Sequence, residues 1–180
     1  MEDSETAKSA MVDRIIEILE STPTKLAAEV VPLSDRELRA RPSSGCWSII
    51  EVVAHLDDAE ELAMRSRIAE IVAGGHPILP EFDQNRRANE MHYIDKQLGP
   101  VLESFTAQRK RNVAWIRMLQ SAQLAHSGTH PKVGTLSAND LLHEWAFHDL
   151  GHLKQILEIK RYALYPHIGN MKRFYTLQWG

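Results

Sequence analysis

Apolar residues recur along this chain mostly at the spacing of an α-helix rather than in the strict alternation of a half-buried strand. Four long helices are predicted, at about residues 7–20, 47–73, 100–120 and 137–164. Pro23 is expected to interrupt or restart the first helix, and Gly74-Gly75 to stop the second. Pro100 opens the third helix, and the Ser137–Asp140 pair is a capping signal for the fourth.

The segments between the long helices are short or polar. Ser34 lies three residues before Glu37, a capping box that predicts a short helical turn. The stretch 78–99 is polar and mixed, with a turn of helix at about 85–90, and residues 125–136 are predicted to form a loop. Since no run of alternating β-branched residues is present, no strand is predicted.

The length of 180 residues is sufficient for one well-buried core, and no linker or repeat marks a second unit. We therefore expect an all-α protein, an antiparallel four-helix bundle in a single domain over residues 1–180. Its core is predicted at about 8–165, followed by a C-terminal tail at 166–180. This tail could cover an edge of the bundle or contact a dimer partner, and the sequence does not choose between the two.

Composition and charge narrow the possible partners. The chain is 43% hydrophobic and 25% charged with a formal net charge of -3, which is typical of a soluble globular protein. Its densest basic run, Arg109–Arg111, falls where an exposed helix face is expected, so no nucleic-acid partner is predicted. No segment has the character of a signal peptide or the length of a membrane span, so we expect a cytoplasmic protein with no membrane partner. The single cysteine, Cys46, cannot form an internal disulfide, and any metal site must use nitrogen and oxygen ligands.

The strongest local feature is the pair His148 and His152 in the last predicted helix. Residues four apart lie about 40° apart around a helix axis, so both imidazoles can reach one ion. This spacing is common, and two unrelated histidines on one face are an alternative. The same stripe of the helix carries Glu144 and Gln155, either of which could orient an imidazole through its second nitrogen. The stripe therefore combines possible ligands with groups that could hold them in place.

His55 lies on an interior face of the second predicted helix that also carries Glu51 and Asp58. An interior histidine is often simply a hydrogen-bonded core residue. Here, however, a histidine pair is expected opposite it, and three imidazoles with open positions suit zinc, nickel or iron(II). Glu51 and Asp58 are interpreted first as orienting or ion-pairing groups and second as catalytic general bases.

Other titratable residues are weaker candidates. His143 is predicted to face away from His148, and His92 lies in the mixed segment, from which it could approach the site. A fourth ligand from either residue would indicate a closed structural site rather than a catalytic one. Cys46 is expected to pack without acting as a nucleophile.

Two segments resemble motifs of the DinB-like family. Residues 47–60, W-S-I-I-E-V-V-A-H-L-D-D-A-E, are similar to the family's helix motif W-[ST]-x-x-E-[VI]-x-x-H-L-x-D-x-E. Residues 135–156 are similar to its last-helix motif, which has the core H-x-x-x-H-x-x-Q-[IL]. The resemblance implies a four-helix bundle, often a homodimer, with one divalent metal held by the matching histidines. These are His55, His148 and His152, and none of them is substituted here.

The resemblance leaves the activity open, because similar proteins include transferases that use bacillithiol or mycothiol and a mycothiol-dependent maleylpyruvate isomerase. The leading prediction is a metal-dependent transferase that uses a low-molecular-weight thiol and a small-molecule substrate. One alternative is a metal-dependent hydrolase with Glu51 or Asp58 near the bound water. An alternative of another class is a noncatalytic metal- or ligand-binding protein of the stress response.

Overall fold

The computed structural model describes residues 2–177, with side chains from residue 10 onward; residues 178–180 of the predicted tail lie outside this part. The helices are α1 (Glu2–Val30), α2 (Asp35–Arg39), α3 (Ile49–Ala59), α4 (Ser66–Val72), α5 (Gln84–Glu90), α6 (Leu98–Ile116), α7 (Ser121–Leu124) and α8 (Ala138–Leu164). A π-helical turn, Glu60–Arg65, joins α3 to α4. Short 3-10 turns lie at Tyr93–Asp95, Tyr165–His167 and Gly169–Phe174, and the strands are β1 (Ser127–His130) and β2 (Gly134–Ser137). Within this part of the chain, no helix is long and apolar enough to cross a membrane.

The predicted all-α four-helix bundle is confirmed. Its long members are α1, the continuous α3–α4 rod, α6 and α8, and the helices α1 and α3 each pack against both α6 and α8. Two apolar clusters fill the interior at opposite ends of the bundle. The first cluster includes Leu19, Ile68, Ile116 and Leu142. The second includes Leu26, Ile50, Phe105 and Ile156.

These clusters give the direction of each helix. The helices α1 and α8 enter at the first cluster and leave at the second, whereas α3–α4 and α6 run the opposite way. Neighbours α3 and α8 are therefore antiparallel, as are α1 and α6, while α1 runs parallel to α8 and α3 to α6. A bundle with such parallel neighbours needs a connection that returns along its length.

That connection is formed by residues 73–97, which we call the crossover segment. It covers most of the stretch 78–99, which the sequence predicted to be polar and mixed with one turn of helix. It contributes Leu79 to the first apolar cluster and Ala88 and Tyr93 to the second, so it spans the bundle. Asp83 caps its helix α5 by accepting a hydrogen bond from the Arg86 backbone N–H. The crossover segment therefore lies against the outside of α3 and forms part of the surroundings of His55.

Pro23 does not interrupt α1, contrary to the prediction. A proline in a helix removes the N–H that would bond the carbonyl four residues earlier, here that of Leu19. In this structure the buried Arg109 donates to the Leu19 carbonyl oxygen from Nη1 at 2.9 Å. The helix continues because a side chain from α6 replaces the missing donor.

A short antiparallel hairpin, β1–β2, occupies the region predicted as a loop. Gly134 adopts a φ of +82 at the turn, a conformation that glycine accepts without strain. A side chain at Gly128 would meet the Pro77 carbonyl oxygen at 2.9 Å, so only glycine allows β1 to approach the crossover segment. The hairpin was not predicted because its strands are only four residues long and lack β-branched alternation.

Candidate metal centre

Three histidines meet where α3 faces α8. His55 lies in the middle of α3, and His148 and His152 lie one turn apart in α8. His55 Nε2 is 3.0 Å from His148 Nε2, which in turn is 3.1 Å from His152 Nε2. Among the described residues these three form a group whose possible ligand atoms lie within 4.8 Å of one another, with no carboxylate or cysteine among them. We call them the histidine group.

The proton positions in the histidine group favour a cation. Gln155 Oε1 accepts a hydrogen bond from His152 Nδ1 at 2.7 Å, so in the neutral ring His152 Nε2 carries a lone pair. His148 Nε2 faces two nitrogens but can carry at most one proton, which cannot point along both contacts. At least one contact of about 3 Å between neutral rings therefore lacks a hydrogen bond. Metal–nitrogen bonds of about 2.0–2.1 Å place neighbouring nitrogens about 2.9–3.4 Å apart, so the residues fit a bound ion.

Burial keeps the three rings neutral. Removal from water, together with repulsion from His152 and His148, lowers the pKa of His55 to about 2. Burial likewise lowers the pKa of His148 to about 3, and it lowers the pKa of His152. Only a deprotonated imidazole nitrogen can bind a metal. The histidine group is therefore ready to coordinate at neutral pH.

Aromatic packing holds His55. Its Nδ1 is buried and has no hydrogen-bond partner among the described residues, so no acceptor orients this ring. Instead the ring lies 5.0 Å from the Trp47 ring and 6.0 Å from the Phe82 ring, measured between centroids. Trp47 and Phe82 are both half-buried; Trp47 precedes α3, and Phe82 lies in the crossover segment after α4. They form an apolar flank beside the site.

Glu51 and Asp58 lie outside the histidine group. Glu51 caps α3 by accepting hydrogen bonds from the Ser48 backbone N–H and hydroxyl at 2.8 Å, and it pairs with Arg41. Burial acts to raise the pKa of Glu51, but the Arg41 and Ser48 hydrogen bonds outweigh it and lower the pKa. The Glu51 carboxylate therefore caps α3 and forms an ion pair with Arg41.

Asp58 is held by hydrogen bonds and an ion pair from residues of the crossover segment. It accepts hydrogen bonds from Arg87 at 2.5 and 2.9 Å and from the Tyr93 hydroxyl at 2.5 Å. These bonds outweigh the effect of burial and lower the pKa of Asp58. Both carboxylates thus form the ion pairs that the sequence suggested first, and neither belongs to the histidine group.

Of the remaining candidate residues, only Gln155 makes a hydrogen bond to the histidine group in the described part of the chain. Gln155 contacts His152 as described, whereas Glu144 is exposed and makes no hydrogen bond to a histidine. His143 is exposed and bonds the Asn139 carbonyl oxygen at 2.8 Å, and His92 is exposed with a φ of 48. Neither belongs to the histidine group.

Cys46 also lies outside the histidine group, where its Sγ is 2.9 Å from the Ser43 hydroxyl. His76 is exposed and contacts the hydroxyl groups of Ser127 at 3.1 Å and Thr129 at 2.9 Å in the hairpin. It therefore joins the crossover segment to β1.

Sequence reasoning missed a buried group of charges next to the histidines. Arg109, expected on an exposed face, is only 2% exposed and pairs with Glu60 and Asp149, whose side chains are each 1% exposed. We call these three residues the arginine cluster. The signal was present, because Arg109 lies four residues from both Phe105 and Val113 on the apolar stripe of α6. A charged residue on an apolar stripe indicates a buried ion pair.

Comparisons with known proteins agree with this architecture. The sequence model of the DinB superfamily matches residues 18–156. Two proteins of Oceanobacillus iheyensis, each named "putative metal-dependent hydrolase", are similar in sequence. One is 24% identical over 150 residues, 83% of this chain and 86% of the relative. The other is 28% identical over 138 residues, 77% of this chain and 79% of the relative.

Two solved structures share the fold. YfiT from Bacillus subtilis, described as a probable metal-dependent hydrolase with an unusual four-helix bundle topology, superimposes with a TM-score of 0.78 at 22% identity. The alignment covers 84% of this chain and 87% of YfiT. The four-helix bundle protein TT2238 superimposes with a TM-score of 0.56 at 20% identity, over 81% of this chain and 98% of the other.

Proposed function

Because this chain belongs to the DinB superfamily, we propose that it is a metal-dependent transferase that uses a low-molecular-weight thiol. One divalent ion, zinc, nickel or iron, would be held by His55, His148 and His152. When bound, such an ion lowers the pKa of a thiol or water molecule that enters its open positions. The thiolate would attack an electrophilic carbon, the leaving group would depart with its electron pair, and the thiol proton would pass to solvent.

The observation that carries the proposal is a group of three neutral imidazoles without a carboxylate among them. Three protein ligands leave positions free for chemistry, as in catalytic rather than structural zinc sites. A thiol has a pKa of about 8.5, against 15.7 for water, so it needs less help to lose its proton. The thiol would come from outside the protein, since Cys46 lies apart from the histidine group.

The residues around the histidine group would position the reactants. Gln155 fixes the orientation of the His152 ring through its hydrogen bond. Trp47 and Phe82 supply an apolar flank that suits an electrophile with an apolar body. The part-exposed faces of His148 and His152 leave the site open toward solvent, from which both reactants could enter.

A hydrolase is the second candidate, favoured by the names of the two Oceanobacillus relatives. A water molecule on a metal can ionise near neutral pH without a neighbouring base. This reaction would use the same three ligands. It differs from the first proposal in needing no thiol.

One experiment tests both candidates. The protein is loaded with one equivalent of zinc, nickel or iron and supplied with monochlorobimane, with and without bacillithiol, mycothiol or cysteine. Conjugation that requires both the metal and a thiol supports the transferase. Hydrolysis of p-nitrophenyl acetate that requires the metal but no thiol supports the hydrolase.

Two histidine variants provide the matched comparison. His148→Ala should lose the metal, measured by elemental analysis, together with the activity. His143→Ala changes an exposed histidine of the same helix outside the group and should retain both. Equal metal content in wild type and His148→Ala would contradict the proposed site.

We extend the proposal to a homodimer, which the family resemblance implies. Multi-angle light scattering on the purified protein should then give twice the chain mass. A single chain mass across the concentrations used for the assay would refute this part alone.

A further inference from the structure

Arg109 uses every N–H of its guanidinium inside the protein. Nε and Nη2 donate to the two oxygens of Glu60, each at 2.8 Å. Nη1 and Nη2 donate to the two oxygens of Asp149 at 2.5 and 3.0 Å. The remaining Nη1 hydrogen reaches the Leu19 carbonyl oxygen at 2.9 Å. One side chain thus joins α1, the α3–α4 rod, α6 and α8.

The arginine cluster carries a net negative charge. All four oxygens of Glu60 and Asp149 accept N–H bonds from Arg109, and Glu60 also accepts from Asn112 at 3.0 Å and Trp145 at 3.2 Å. In each of these contacts an N–H donor faces a carboxylate oxygen, which is the arrangement that an ionised carboxylate makes. One positive and two negative charges leave a net charge of −1. In the part of the chain that the structure describes, no second cationic side chain pairs with Glu60 or Asp149.

An unbalanced charge in a protein interior is expensive unless another charge compensates it. The arginine cluster is almost wholly shielded from solvent, so water cannot supply the compensation. Among the described residues, the group of side chains that could hold a cation is the histidine group, two of whose members flank Asp149 in α8.

Three short spacings in the sequence connect the arginine cluster to the histidine group. Asp149 directly follows His148 and lies three residues before His152, which is neighbour spacing on a helix surface. Glu60 is five residues beyond His55, at the start of the π-helical turn, a feature often found at functional sites.

We infer that the arginine cluster is the counter-charge for a divalent cation in the histidine group, with Asp149 as the residue that positions and balances it. This inference rests on the metal site of the proposed function but not on the reaction. It predicts that the affinity for the ion depends on the charge of Asp149, and more strongly for a dication than for a monocation.

The test compares wild type with Asp149→Asn, which removes the charge and keeps the shape of the side chain. Binding of Co²⁺ is followed by its absorption spectrum, and binding of Ag⁺ by competition with a chelator. Loss of an outer group of a metal site typically reduces affinity about 10- to 100-fold, which we expect for Co²⁺. Because Coulomb energy scales with the charge of the ion, the factor for Ag⁺ should be about the square root of that for Co²⁺.

Two further variants complete the design. Glu29→Gln removes a carboxylate from the half-buried Lys160 ion pair between α1 and α8 and should change Co²⁺ affinity less than about twofold. Glu60→Gln removes the other negative charge of the arginine cluster and should weaken Co²⁺ binding in the same direction as Asp149→Asn. This second variant also serves if Asp149→Asn does not fold.

The outcomes separate the two proposals. If wild type binds Co²⁺ and Asp149→Asn and Glu60→Gln bind it equally well, the counter-charge is refuted while the metal site stands. An equal loss for Co²⁺ and Ag⁺, with a changed Co²⁺ spectrum, would show a disturbed geometry and also refute it. If wild type binds neither ion, the proposed metal site fails and the inference fails with it.

Discussion

Gln155 is the residue whose role at the histidine group is easiest to isolate, because it touches the site through a single hydrogen bond to His152. Replacing it by leucine should leave the bundle folded and reduce metal affinity about 10- to 100-fold, since the His152 ring loses its acceptor. Gln155→Glu keeps an acceptor and adds a negative charge, so it should bind at least as tightly as wild type. Isothermal titration with Zn²⁺ measures both affinities. Equal loss in the two variants would show that the hydrogen bond is not the cause.

Individual residues also show why a sequence motif identifies a site better than it assigns roles. Glu51 and Asp58 recur with His55 in the motif segment, yet one caps α3 and pairs with Arg41 while the other anchors Arg87 and Tyr93. Arg41, Arg87 and Tyr93 lie 10 to 35 residues away in the chain from the carboxylates they contact. Residue type and spacing do not reveal such partners.

At the scale of elements, one arginine connects the helices of the bundle. Arg109→Met should lower the free energy of unfolding by about 3–5 kcal/mol, because Glu60 and Asp149 would remain buried without their cation. The Leu19 carbonyl opposite Pro23 would also lose its donor. The neighbouring exposed Lys110→Met should change stability by less than about 0.5 kcal/mol. Urea denaturation followed by circular dichroism compares the two, and similar midpoints would contradict this role of Arg109.

The behaviour of the whole molecule in acid should reflect the histidine group. Burial lowers the pKa of all three histidines in the folded protein, to about 2 for His55 and about 3 for His148. The unfolded chain, with ordinary values of about 6.5, therefore takes up protons that the metal-free folded protein does not. Stability is fully present above pH 6.5 and falls as the pH drops from there toward the folded values.

Urea denaturation in EDTA at pH 7, 6 and 5 measures this dependence. We expect a loss of about 1 kcal/mol or more per pH unit below pH 6, since each neutral histidine contributes up to about 1.4 kcal/mol per unit. His55→Gln removes one such group and should show a shallower dependence, whereas His143→Ala should match wild type. An identical slope in His55→Gln would mean that the ring does not stay neutral in the folded state.

Local signals in the sequence determined the elements and the ligands. Helical periodicity, two capping boxes and helix-stopping glycines depend only on neighbouring residues, so three of the four long helices were predicted within a few residues of their observed ends. The helix α1 is the exception, because it continues past Pro23 to Val30 instead of ending at about residue 20. The pair His148 and His152 lies one turn apart in any helix, which makes its shared face predictable. The meeting with His55 was predicted from facing interior stripes, and the structure brings the three rings together.

Tertiary structure decided what depends on distant contacts. The parallel and antiparallel arrangement follows from the crossover segment, whose course along the bundle no local pattern encodes. Pro23 stays within α1 because Arg109, 86 residues later in the chain, supplies a donor nearby. The charge of the arginine cluster exists only where three helices converge, since burial and pairing are properties of the assembled bundle. The sequence by itself therefore determined which residues can bind the ion, and the fold decided the electrostatic environment in which they would bind it.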